Sequence, residues 1–246
     1  MIIAGWQKTS VVDYPGRLCS TVFLGGCNFR CPFCHNGILV TDSRGEAIPL
    51  EWVVEHLTRW RHLLQALTIS GGEPTLQPDL LARLVRAAKD LGYQVKLDTN
   101  GSRPEVVQGL LDLLDYVALD VKHQPEGYAG AAGVPVDLRA VERTVQIIAG
   151  RPHELRTTLV PGLHTPQDIE LIGRWLGSAA SSGTGAAGYA LIARTYVLQP
   201  FRAGPGVLDA VYRGLRSFTP EEIQRFRFAA EKYFARVLVR GMYKEG

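Results

Sequence analysis

Three of the four cysteines of this 246-residue chain lie close together in GGCNFRCPFCHNG, residues 25–37, spaced Cys27-x3-Cys31-x2-Cys34. Thiolates are nucleophiles and metal ligands. A structural zinc site uses four ligands, usually as two separated pairs, and there is no second pair here. His35 adjoins Cys34, so both could reach one metal only through a cramped backbone. Cys19 sits among the apolar residues of LCSTVFLGG, where a buried thiol is the ordinary outcome. Three thiolates in a compact loop suit an iron–sulfur cluster. A four-iron cubane held by three cysteines keeps one iron without a protein ligand, and an open metal position is where substrate or cofactor binds. Gly25 and Gly26 let the backbone bend close to such a cluster. Zinc and a reactive thiol are the alternatives.

The surrounding pattern alternates strands with helices. Strands are expected at 18–26, 66–70, 93–99, 116–122, 154–161 and 189–201, with a short one at 236–241. Helices are expected at 49–64, from Pro78 to Leu91, from Pro104 to Leu114, at 137–149, from Pro166 to about Ala180, and from Pro220 after a Thr219 cap. Such alternation implies a parallel sheet covered by helices. About six βα units fall short of the eight of a full barrel, so the expected fold is α/β, an open, partial (β/α)6 TIM-like barrel. A single domain is read, with 1–16 as an N-terminal extension, 17–202 as the barrel core and 203–246 as a C-terminal helix and tail. GSAASSGTGAAGY, 177–189, reads as a mobile surface loop.

Functional groups of parallel barrels gather at the carboxyl ends of the strands. The cysteine loop follows the first strand and SGGEP (70–74) the second. Asp98 and Thr99 end the third, and Asp120 and Lys122 the fourth. Arg156 lies in the fifth and Arg202 just past the sixth. His56, His62, His123, His153 and His164 read as surface or loop residues.

Composition excludes other classes. Apolar residues make up 46% and charged residues 21%, as in an ordinary globular protein. A formal charge of +3 with scattered basic residues does not point to nucleic acid. No 18-residue apolar run suggests a membrane span, and MIIAGWQKTS lacks the form of a secretion signal. A cytoplasmic location is expected.

The Cys-x3-Cys-x-aromatic-Cys pattern, with Phe33 in the aromatic slot, resembles the radical S-adenosylmethionine superfamily. VDYPG (12–16), CHN (34–36), SGGEP, DTNG (98–101), LDVK (119–122) and PG (161–162) occur in the order of its glycyl-radical-enzyme activating enzymes. Over about residues 5–202 the chain looks most like the longer anaerobic ribonucleoside-triphosphate reductase activating proteins, and it is similar to pyruvate formate-lyase activating enzyme. The resemblance implies one 4Fe-4S cluster on Cys27, Cys31 and Cys34, with S-adenosylmethionine on its open iron. Gly71, Gly72 and Glu73 would meet the cofactor's ammonium, Asp98 and Thr99 its amino acid end, and Asp120 and Lys122 its sugar and carboxylate. Phe33 and His35 would flank the adenine, and Arg156 would lie near the cofactor. The family sometimes holds a monovalent cation, which would sit at Asp98, Thr99 and Asp120. Arg202 stands where pyruvate formate-lyase activating enzyme has a histidine, a departure that favours the reductase activators.

The implied partners are a glycyl radical enzyme as protein substrate and flavodoxin or another low-potential electron donor. With only Cys19 left over, this is a one-cluster form. The rim beside Arg202 and PGVLD (205–209) is the expected docking surface. A radical enzyme acting on a small molecule, such as a deazapurine synthase, an electron carrier and a zinc module are the rival readings.

Overall fold

The computed structural model describes residues 2–41, 47–184 and 195–241. Eight strands form one sheet in sequence order: β1 (Ile3–Ser10), β2 (Cys19–Leu24), β3 (Ala66–Gly71), β4 (Gln94–Thr99), β5 (Tyr116–Asp120), β6 (His153–Leu159), β7 (Tyr196–Pro200) and β8 (Val237–Val239). β1 pairs antiparallel with β2, and every later pair is parallel. β1 and β8 are the two ends of the strand order, so the barrel is open along a seam.

The helices are α1 (Gly37–Thr41), α2 (Leu50–Trp60), α3 (Pro78–Asp90), α4 (Pro104–Leu110), α5 (Tyr128–Ala132), α6 (Leu138–Ile148), α7 (Pro166–Thr184) and α8 (Pro220–Glu231). Each long helix buries one stripe. In α3 this is Leu80, Leu81, Leu84, Val85 and Ala88, and Gly92 ends the turn at φ +83°. α8 starts with a complete capping box between Thr219 and Glu222. One continuous apolar core joins these stripes to the strands, from Ile3 to Val237.

The sheet therefore takes in both segments that the sequence pattern leaves outside the barrel. Residues 3–10 add the edge strand β1, whose exposed Gln7, Lys8 and Thr9 hide its strand periodicity. α8 and β8 complete a further βα step at the other end. Helix α7 runs on to Thr184, through the first part of the stretch read as a surface loop. Ile169, Ile172 and Leu176 anchor it in the core, and packing of this kind outweighs glycine- and serine-rich composition. The rest of that loop, and residues 189–194 of the expected sixth strand, lie outside the described residues. Of the histidines read as surface or loop residues, His123 and His164 lie in loops but are buried, and His153 is buried at the start of β6. No helix among the described residues is long and apolar enough to cross a membrane.

β8 is tied to the barrel by charge as well as by pairing. Arg240, just past it, donates through Nη1 and Nη2 to the two carboxylate oxygens of Glu154 on β6, both at 2.8 Å. The Glu154 side chain is 1% exposed. Arg240→Ala removes both of these bonds and leaves the carboxylate Tyr116 Oη at 3.2 Å and Arg156 at 3.9 Å; it is expected to cost about 2 kcal/mol in chemical denaturation.

Candidate active site

A cavity of about 250 Å³ opens at the carboxyl ends of the strands. Cys27, Cys31, Cys34, Phe33 and His35 line it from the loop after β2, and Ser70, Gly71 and Gly72 from the end of β3. Asp98, Thr99 and Asn100 come from β4, Asp120 and Lys122 from β5, Arg156 and Thr158 from β6, and Gln199 from β7. Parallel strands of matched length bring all these ends to one rim.

The cysteine loop is braced on every side. Glu73 N donates to Gly26 O at 2.8 Å, and Arg30 N to Ala132 O at 2.7 Å. Leu208 N donates to Cys34 O and Asp209 N to Pro32 O, both at 2.9 Å. Asn28, next to Cys27, donates to Ser102 Oγ and accepts from Asn100 Nδ2, both at 2.9 Å. At Gly72 a Cβ would lie 2.0 Å from Gly26 O, so only glycine allows this approach. The stretch 205–209, expected as a docking surface, thus serves as a strap on the loop, with Val207 buried.

The donor set fits a four-iron cluster. Three soft thiols share one cavity wall, and among the described residues no three Cys, His, Asp or Glu side chains are placed to hold a single metal ion. Burial pushes the Cys27 thiol up to about 11, against the Phe29 N–H that donates to its sulfur at 3.3 Å, and raises Cys31 and Cys34 as well. Metal binding to these thiols must release protons. Cys19 is separate: fully buried at the start of β2 against Tyr14 and Ala66, the opposite end of the strand from the loop.

Below the thiols lies an ionic lattice. Arg156 donates through Nε to Asp120 Oδ1 at 2.7 Å and through Nη1 to Asp98 Oδ2 at 3.3 Å. Lys122 donates to Asp120 Oδ2 at 3.1 Å, Lys96 to Asp98 Oδ1, and Ser70 to Asp98 Oδ2. Burial alone would raise both aspartates. Arg156, with Lys96 on one and Lys122 on the other, outweighs it and holds them below the usual carboxylate range. These same oxygens are the ones expected for a monovalent cation; the chain's own cations occupy them.

Two expected site residues stand apart from the cavity wall. Glu73 is fully buried and turned inward: Oε1 accepts from Thr75 N, Thr75 Oγ1 and Thr99 Oγ1, and Oε2 from Asn100 N at 2.6 Å. It binds the SGGEP turn to the end of β4, and its carboxylate is spent inside the protein. Arg202 lines an adjoining cavity along the seam with Asp13, Lys96 and Arg240, and donates to Gly241 O. Sequence reasoning missed Lys96, Glu154, Thr158, Gln199 and Arg240, and gave Ser70 and Asn100, which stand in SGGEP and DTNG, no role of their own. A signal existed for several: in QVKLDT and HELRTTL, Lys96 and Asp98, and Glu154 and Arg156, stand two residues apart, which puts each pair on one face of its strand.

The Radical SAM superfamily profile matches residues 21–176. The chain belongs to that superfamily, whose cofactors are a 4Fe-4S cluster and S-adenosylmethionine. Within it, the chain is 31% identical over 250 aligned residues to a Methanocaldococcus jannaschii protein assigned as a glycyl-radical enzyme activating enzyme, covering 97% of this chain and 95% of that one. It is 32% identical to the pyruvate formate-lyase-activating enzyme of Clostridium pasteurianum, over 55% of this chain and 61% of that one. Among solved structures, SuiB of Streptococcus suis bound to S-adenosylmethionine superposes with a TM-score of 0.66 at 13% identity, over 91% of this chain and 50% of that one. That last likeness concerns the fold, and the chain spans about half the length of SuiB.

Two outcomes follow from the geometry. Gly72→Ala is expected to cost about 3 kcal/mol and to lower iron uptake on anaerobic reconstitution, whereas Gly204→Ala, which meets nothing within 4 Å, leaves both unchanged. Asp98, Asp120 and Glu154 have depressed folded values, so their contribution is whole above about pH 4 and is lost below it. His164, pushed down to about 4 by burial, adds a loss that starts as pH falls below about 6.5. Glu73, raised by burial, opposes them. Melting temperature of the metal-free protein should decline gently from about pH 6.5 and steeply below about pH 4.

Proposed function

We propose that this chain is a radical S-adenosylmethionine activase that installs a glycyl radical on a partner enzyme, anaerobic ribonucleoside-triphosphate reductase in the first instance. The observation that carries the reading is one cavity in which three cysteines face the ends of five strands bearing a lysine, an arginine and paired carboxylates. The near full-length match to the M. jannaschii protein supports the activase class. The match to the C. pasteurianum enzyme supports pyruvate formate-lyase as the second candidate partner.

Cys27, Cys31 and Cys34 would hold the cluster, and the Gly71 and Gly72 backbone would leave room for the cofactor's ammonium. When bound, the cluster and S-adenosylmethionine supply hydrogen abstraction: one electron and one cofactor in, methionine and 5′-deoxyadenosine out, the hydrogen drawn from the partner's glycine. Lys122 and Arg156 place positive charge for a carboxylate, with Asp120 fixing both cations in position. Phe33, buried between His164 and Tyr212, and His35 against Phe201 at 5.1 Å offer ring faces and a polar edge for adenine. The electron requires a low-potential donor such as flavodoxin.

Anaerobically reconstituted protein with dithionite and S-adenosylmethionine should release 5′-deoxyadenosine, and Cys31→Ser should not. Cys19→Ser should retain full iron. A glycyl doublet in the electron paramagnetic resonance spectrum of the reductase, absent from pyruvate formate-lyase, identifies the partner; the converse pattern assigns the chain to the lyase. No 5′-deoxyadenosine from a fully loaded cluster overturns the activase reading.

A further inference from the structure

His164 does more than fill space. It lies in the turn between β6 and α7, 4% exposed. Val160 N donates to its Nδ1 at 3.1 Å, so that nitrogen carries no proton and Nε2 does. Nε2 then donates at 2.9 Å to the backbone carbonyl of Lys122. The neighbouring carbonyl, Val121 O, accepts from Thr157 Oγ1 at 2.9 Å, and Val121 N donates to Arg156 O. The chain leaving β5 is thus held by side chains at two successive carbonyls, right where the strand ladder ends.

The imidazole is itself held. It packs against His123 with the rings tilted and their centres 4.8 Å apart, and the Phe33 ring of the cysteine loop meets it edge-on at 6.5 Å. His123 Nε2 donates to Leu163 O at 2.9 Å, closing the strut back onto the same turn. A hydrophobic residue could supply the packing. It could not supply the Nε2 donor, and Lys122 O would then be buried with that bond unmade.

From this geometry we infer that His164 is a positioning residue: through the Lys122 carbonyl it fixes the backbone from which the Lys122 ammonium reaches into the cofactor cavity. A lysine has a long flexible stem, and its ammonium here is already shared with Asp120. Where the ammonium sits relative to a bound carboxylate is set by where its Cα is anchored. Phe33 on the other side of His164 couples that anchor to the cysteine loop. The inference rests on the reading that Lys122 faces S-adenosylmethionine.

The test is a double-mutant cycle on S-adenosylmethionine affinity in the cluster-loaded protein, with iron content and melting temperature measured for each variant. Lys122→Met should weaken binding about tenfold and His164→Leu about fivefold, while the double variant binds no more weakly than Lys122→Met alone, within about twofold. His164→Gln, which can still reach the Lys122 carbonyl, should bind within about twofold of the parent, and the shorter His164→Asn should not. His164→Asn also serves if His164→Leu does not fold. Additive losses in the double variant overturn the proposal, as does parental affinity in both His164→Leu and His164→Asn. Parental affinity in Lys122→Met overturns it too, since there is then no charge to position. The activase reading is judged separately, by 5′-deoxyadenosine release from the parent protein.

Discussion

Arg156 is the contact on which the upper barrel depends. Parallel strands carry their terminal side chains to one rim, and here that brings Asp98 and Asp120 together inside the protein. Two partly buried carboxylates in mutual reach would repel, which favours a proton on one of them. A single guanidinium bridging both, with a lysine on each, keeps the pair ionised and in fixed orientation. Removing any one member strands a charge whose desolvation has already been incurred. The barrel interior is thus polar at its upper end for a reason of geometry, and the polar end becomes the floor of the cavity.

The cysteine loop has the opposite character. Among the described residues it holds no ion pair to the floor, and backbone hydrogen bonds to distant segments shape it: Glu73, Leu208 and Asp209 donate to it, and Arg30 N donates from it to Ala132 O. Glycines at 71 and 72 make the nearest of these approaches possible. Burial raises all three thiols, so the loop offers neutral sulfurs until a metal displaces their protons. A rigid ionic floor and a strapped, apolar thiol loop face each other across the space where a charged small molecule would have to bridge them.

Arg202 lines the seam. A closed barrel would have no lateral opening. Here β1 and β8 leave one, and the cavity along it shares Asp98, Arg156, Thr158 and Gln199 with the first. The opening and the first cavity thus meet at these side chains.

The clustering of Cys27, Cys31 and Cys34, the parallel sheet and the gathering of Asp98, Asp120, Lys122 and Arg156 at one rim were legible in the sequence. Local spacing and alternation carry that information, because strand and helix periods and the placing of groups after strands are properties of neighbouring residues. Glu73 was legible as part of a motif, but its inward direction was not. Neither were the burial of His123 and His164, the joining of Arg240 to Glu154, nor the strap at 205–209. Each is a contact between residues far apart in the chain. Which buried polar group finds which partner is decided only when packing brings them together and removes the water that would otherwise satisfy them.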